Sequence, residues 1–441
     1  MASRLHGIQQ AFAVPEGTSH HSISGRLSRE TITRPTRMPK LATLSHALKS
    51  TTERLAADVL WPTDCPPDWS QFEWCVAEAS AALHGVAALL ASRLRWRGPP
   101  RWNDFLAQQA IQTERRHARI LALQAAVDRR FYSAGISAVA LKGAALYALG
   151  LYPEPYRPMA DLDLLLAQAD LEPAIEMLRG LGYAPRIRSW RHVALDPPPS
   201  AGVHGLGEHS ENPVKIELHV GIYERLPLDT IDITDATMPA RLAPGLNPYP
   251  SRAALLRHLL LHAAGNMRAR ALRLIQLNDL ALLGGAVGSD DWSSLLNGPG
   301  GARRIWWAYA PLVMTRRYFP QSVPEEVVER TASACPHWLR RNCLRHRLSD
   351  VSWSNPRIQA LPGVEWSQTV GEAVRFAASR VWPTRIDLDE LQLAAAASSY
   401  GAVGGWYRQA HLARVARWLF APPGRPQSMY SIQQAFDRRI A

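Results

Sequence analysis

Two acids set two apart in a run of leucines, Asp161-Leu162-Asp163-Leu164-Leu165-Leu166, constrain this chain more than any other feature. In a strand, alternate residues share a face, so both carboxylates project to one side while Leu162 and Leu164 enter a core on the other. The surroundings agree with a strand over Ala160 to Leu166. Upstream, Ile136 to Leu141 reads as a short buried strand, Lys142-Gly143 as a tight turn and Ala144 to Leu149 as a short helix. Downstream, Leu171 to Leu181 reads as a helix stopped by Gly182, and residues 184–195 and 213–222 read as two further strands.

Helical spacing takes over on both sides. Residues 41–60 and 71–96 read as helices, separated by the Pro-rich breaker Trp61 to Pro67. Trp102 to Ala134 reads as one amphipathic helix with Phe105, Ile111, Ile120, Leu123 and Val127 toward the core. From about residue 251 the chain is helical again, with Pro-rich breaks near 297–300, 320–324 and 421–426. The expected order is a disordered tail (1–40), an N-terminal helical region (41–134), a mixed α/β core (135–235) and a C-terminal helical region (236–441), an α+β protein. With 47% apolar residues in 441, global disorder is excluded. The most apolar stretches, Ala77 to Leu94 and Ile136 to Tyr152, carry Glu78 and His84 or Lys142 and read as buried elements, so no membrane is expected. The first 30 residues lack an apolar signal core, which points to the cytoplasm.

The pair Asp161 and Asp163 invites a cation, because two like charges that close repel. Hard oxygen ligands suit Mg²⁺ or Mn²⁺. Val214 to Val220 is also strand-like, with Ile216, Leu218 and Val220 on one face and Glu217 and His219 on the other. If the two strands are neighbours, Glu217 becomes a third acid. Three carboxylates around two such ions equip a site for in-line attack on the α-phosphate of a nucleoside triphosphate. Lys142-Gly143 offers a point charge and a close backbone approach to phosphate. Arg157 either reaches the same phosphates or pairs with Glu154. His258 and His262 lie four apart on one helix face, as a buried hydrogen-bonded pair, as partners of Asp279, or facing a substrate together with His219 and Asp279.

Leu141-Lys142-Gly143, Tyr156-Arg157, Asp161 to Leu165 and Ile216-Glu217-Leu218-His219 together resemble the uncharacterised nucleotidyltransferase family of bacteria, a branch of the polymerase-β-like superfamily. Arg257 to His262 and Asn278-Asp279-Leu280 resemble that family's helical follow-on segment. The resemblance covers about residues 135–285. It implies a small polymerase-β-like mixed sheet wrapped by helices, metal-dependent use of a nucleoside triphosphate, and flanking helices for an acceptor, whether small molecule, peptide, protein or RNA. Lys142-Gly143 stands where the superfamily usually has Gly-Ser.

A rival reading comes from charge. The chain carries 50 basic against 38 acidic residues, net +12, and only four of the basic ones are lysines. Residues 236–278 hold Arg241, Arg252, Arg257, Arg268, Arg270 and Arg273 and no acid. They suit either a solvated helical face or a non-catalytic adaptor that binds nucleic acid or a protein. Val139-Ala140-Leu141-Lys142 is close to a kinase lysine strand, but no glycine-rich loop, H-R-D or D-F-G accompanies it. Walker, Rossmann and G-x-S-x-G patterns are absent. Cys65, Cys75, Cys335 and Cys343 have neither zinc nor redox spacing and read as free thiols.

Overall fold

Local signals set the helix ends. Ser70 caps α2 (Gln71–His84) through a capping box with Glu73, and Gly85 ends it at φ +65°. It follows α1 (Leu41–Leu60) and precedes the short α3 (Ala87–Arg93). Pro100 opens α4 (Pro100–Ala134), about 50 Å long, and Gly135 closes it at φ +70°. The computed structural model describes residues 39–198, 203, 205–297, 304–385, 387–388, 409–420 and 423–438. The tail expected over 1–40 lies outside the described residues up to residue 38, as do 298–300 and 421–422 of two Pro-rich breaks.

Phe105, Ile120 and Val127 of α4 are buried as expected, and Leu123 is partly buried. Ile111 is not, at 48% exposure. The buried stripe runs through Gln109, Thr113 and Arg116, and Ile111 sits about 200° around the helix from Gln109.

After α4 come β1 (Ser137–Ala140), α5 (Lys142–Ala148), β2 (Asp161–Leu166) and α6 (Leu171–Arg179). The stretch expected as one strand over 184–195 is instead a hairpin of β3 (Ala184–Arg188) and β4 (His192–Asp196). Ser189 makes the reversal, its hydroxyl accepting from the N–H groups of Arg191 and His192. β5 (Lys215–His219) is followed by the two-stranded ribbon β6 (Tyr223–Arg225) and β7 (Thr230–Asp232), then the single turn α7 (Thr234–Thr237).

The main sheet has the order β3-β4-β5-β2-β1-β8. Its last strand, β8 (Gly245–Asn247), lies in the stretch read as helical. Side chains pin it: Asp128 of α4 accepts from Leu246 N–H, and the Asn247 amide donates to Ala138 O. β2 is parallel to β5 and antiparallel to β1, so the sheet is mixed. Leu162, Leu164, Ile216 and Leu218 pack with α4 and α6 on one face. Val139 and Leu165 face the helical side, against a core that includes α8 (Arg252–Arg268) and α9 (Leu274–Ala286). Further helices follow to Pro426–Asp437, which returns to α2. No single described helix is long and apolar enough to cross a membrane.

Candidate active site on the β2–β5 face

The parallel register of β2 and β5 pairs Asp163 with Glu217 and Leu165 with His219. Asp161 is two residues before Asp163 on the same face. On the other side of β5, β4 sets His192 opposite His219. One sheet face therefore carries Asp161 and Asp163, then Glu217 and His219, then His192. The neighbouring-strand condition that makes Glu217 a third acid is met.

Asp163 is 5% exposed and holds two donors on one oxygen: Lys142 Nζ at 2.7 Å and His219 Nε2 at 3.0 Å. Burial pushes Asp163 upward, but Lys142 and the His219 bond outweigh it and hold the carboxyl well below its ordinary value. Its neighbours move the other way. Glu217 is pushed up to about 8 by burial and by repulsion from Asp161 and Asp163. Asp161 is pushed up to about 6 by burial and by Asp163. Lys142 is raised because the three acids overcome its own burial. One ammonium thus cannot neutralise the face, and the surplus negative charge suits a dication. The oxygen-rich donor set fits a hard divalent ion. Among the described residues, the side chains whose ligand atoms all lie within 4.8 Å of one another are Asp163, Glu217 and His219. This group shares two members with the expected triad and has His219 where Asp161 was expected.

Lys142 has φ +49°, a left-handed backbone unusual for a residue with a β-carbon. Its N–H donates to the Tyr249 hydroxyl at 3.3 Å. The Tyr249 hydroxyl also shares a hydrogen bond with His258 Nδ1 at 2.7 Å. His262 accepts from the Asn266 amide at Nε2, and its Nδ1 lies 3.9 Å from Glu224. His258 and His262 are thus hydrogen-bonded, though not to Asp279. Both border a cavity of about 160 Å³ with Lys142, His192, Glu217 and His219. Burial lowers all four imidazoles, His192 to about 4 and His262 to about 3, so they are neutral near pH 7.

Arg157 meets neither Glu154 nor open space. It clamps Asp279 with Nε at 2.7 Å and Nη2 at 2.8 Å, and Tyr152 donates to the same carboxylate at 2.6 Å. A β-carbon on Gly143 would strike Arg157 and Met159, so that glycine serves close packing.

Two residues were not legible as site components. Arg116 of α4 donates to the carbonyls of Met159 and Ala160 before β2 and of Asn212 and Pro213 before β5. It ties together the starts of both acid-bearing strands; the available signal was a charge on the buried stripe of α4. His192 had none, because its place follows from the hairpin. The acid-free stretch divides: Arg241 and Arg252 are exposed, and its other arginines are buried or half-buried. Arg270 pairs with Glu365 at 2.8 Å, Arg257 donates to Leu295 O, and Arg273 donates to Leu83 O.

A family model described as an uncharacterised nucleotidyltransferase matches residues 70–300. No curated protein and no solved structure matches the chain.

Proposed function

The chain belongs to the uncharacterised nucleotidyltransferase family, and from that premise we propose that it transfers a nucleoside monophosphate from a nucleoside triphosphate to an acceptor on a polymerase-β-like core. The observation that carries this is the register of Asp163 with Glu217, with Asp161 on the same face and more negative charge than Lys142 offsets. Asp161, Asp163 and Glu217 would hold Mg²⁺ or Mn²⁺, which when bound supplies Lewis-acid polarisation of the α-phosphate. The acceptor oxygen attacks the α-phosphorus in line, the bond to the β-phosphate oxygen breaks, and pyrophosphate leaves. Glu217, or the ion it helps to hold, would assist deprotonation of the acceptor. Lys142 leaves Asp163 for the β- and γ-oxygens, where negative charge accumulates. Arg157 keeps its place on Asp279 and shapes the loop that leads into β2.

The test uses each ribonucleoside triphosphate labelled at the α-phosphate, with the purified protein and a cell extract. Label should enter a discrete product with the parent and not with Asp163→Asn. Equal labelling by that variant, or no labelling from any triphosphate, overturns the reading.

A further inference from the structure

The site face changes character along its length. At the Asp161 end the donors are carboxylate oxygens; at the other end they are imidazole nitrogens. His219 Nε2 lies 3.0 Å from Asp163 Oδ1 and 3.7 Å from Glu217 Oε2. Across β5, His192 Nε2 lies 3.8 Å from Glu217 Oε1. Ligand atoms about 2.0–2.2 Å from a shared ion sit roughly 3 to 4 Å apart, so these spacings need little adjustment. Strand register, rather than chance side-chain rotation, brings the nitrogens here: His219 follows Glu217 by two residues, and His192 is its direct partner on β4.

We propose that Asp163, Glu217 and His219 form a mixed oxygen–nitrogen metal site that prefers first-row transition ions, for which Mn²⁺ serves as the spectroscopic probe, over Mg²⁺, with His192 beside it as a further nitrogen donor. The proposal deepens the nucleotidyl-transfer reading and rests on it for what the ion is used for, not for its binding. The chemistry follows from donor softness. Mg²⁺ takes oxygen ligands and sheds water reluctantly, whereas imidazole favours transition ions. Two conditions attach to binding. His219 now donates its Nε2 proton to Asp163, so ligation through Nε2 needs that proton moved to Nδ1 or released. The Lys142 ammonium shares the same Asp163 oxygen and must withdraw as the ion enters.

The experiment uses the full chain freed of metal by chelation, titrated calorimetrically with Mn²⁺ and with Mg²⁺, and pulsed electron paramagnetic resonance of the Mn²⁺ complex. The parent should bind Mn²⁺ at least about tenfold more tightly than Mg²⁺ and show coupling to imidazole nitrogen. His219→Asn, which keeps a donor for Asp163, should lose the preference and weaken the coupling to what His192 alone supplies, and His192→Asn with His219→Asn should lose the coupling entirely, while circular dichroism stays parental. Equal affinities, no Mn²⁺ binding, or Mn²⁺ without nitrogen coupling overturns the proposal. If the variants fail to fold, the coupling in the parent decides alone. The two readings separate cleanly. Nitrogen-coupled Mn²⁺ with no triphosphate ever turned over leaves the site and removes the transferase. Turnover with Mg²⁺ and no nitrogen coupling does the reverse.

Discussion

Lys142 combines a strained backbone, a largely buried ammonium and the acid at the centre of the site. Removing one member of a buried pair leaves the other uncompensated, at a cost of about 3 kcal/mol. Lys142→Met keeps the length and the backbone demand and discards the charge. In chelator it should lose roughly 2–3 kcal/mol in urea unfolding, and millimolar Mg²⁺ or Mn²⁺ should restore most of that. Parental stability in chelator would show that the pair contributes nothing. A second residue makes a pH prediction away from the site. Buried His84 accepts from Leu274 N–H at Nδ1 and donates from Nε2 to Ser354, a neutral tautomer with no room for a second proton. Burial, then the charge of Arg273, lowers it to about 3. Its neutral form stabilises the fold fully above pH 6.5, and that contribution is lost as pH falls toward 3, on the order of 3 kcal/mol by about pH 4. His84→Gln, which can also accept and donate, should flatten the fall in unfolding free energy between pH 6 and 4. Identical slopes would exclude His84 as the group. The acids were legible at this scale because period two fixes their face; the partners of Lys142 and His84 were not, since hydrogen-bond partners far along the chain leave no local pattern.

At the scale of elements, the strand that carries the acids was legible and the devices that hold it were not. β2 announces itself through leucines alternating with acids. β8 is three residues long and depends on Asp128 and Asn247, so propensity cannot reveal it. The hairpin of β3 and β4 was merged into one strand because Ser189 reverses the chain without glycine or proline. Arg116 is the most consequential of these hidden devices. From the buried face of α4 it satisfies carbonyls at the entrances of both β2 and β5, setting the two strands side by side. Charged hydrogen bonds contribute about 1.5–3 kcal/mol each, and the lost ones leave carbonyls buried without donors. Arg116→Ala should destabilise by roughly 3–4 kcal/mol or prevent folding, and Arg116→Lys should recover only part, because an ammonium cannot span both entrances. Chemical denaturation gives the first result. For the second, Mn²⁺ affinity in the folded Lys variant should fall below the parent as the Asp163–Glu217 register loosens. Parental affinity would mean that the register is set elsewhere.

Across the whole molecule, Arg157, read from the sequence as reaching the phosphates or pairing with Glu154, joins distant parts of the chain through Asp279. Arg157, just before β2, clamps Asp279 on α9; Tyr152 donates to the same carboxylate; the Asn278 amide donates to Tyr152; Arg93 of α3 donates to Asn278. Arg157 is 12% exposed and Asp279 3%, so the pair belongs to the interior. This connects the N-terminal helices, the loop leading to the site and the C-terminal helices through one polar network. Sequence alone showed Arg157 four residues from the acids and 122 from Asp279, and nothing local pointed to Asp279 as a partner. Asp279→Asn keeps the shape and removes the charge, leaving a buried guanidinium with a neutral acceptor. It should lose about 3 kcal/mol in urea unfolding. Arg157→Met alone should lose a similar amount, and the double variant should lose clearly less than the sum, with a coupling of about 1.5–3 kcal/mol. A phosphate-binding role predicts a different pattern. Arg157 would then matter to triphosphate affinity, the two substitutions would add without coupling, and Asp279→Asn would unfold at the parental urea concentration. The cycle therefore decides between an arginine that holds the molecule together behind the site and one that reaches into it.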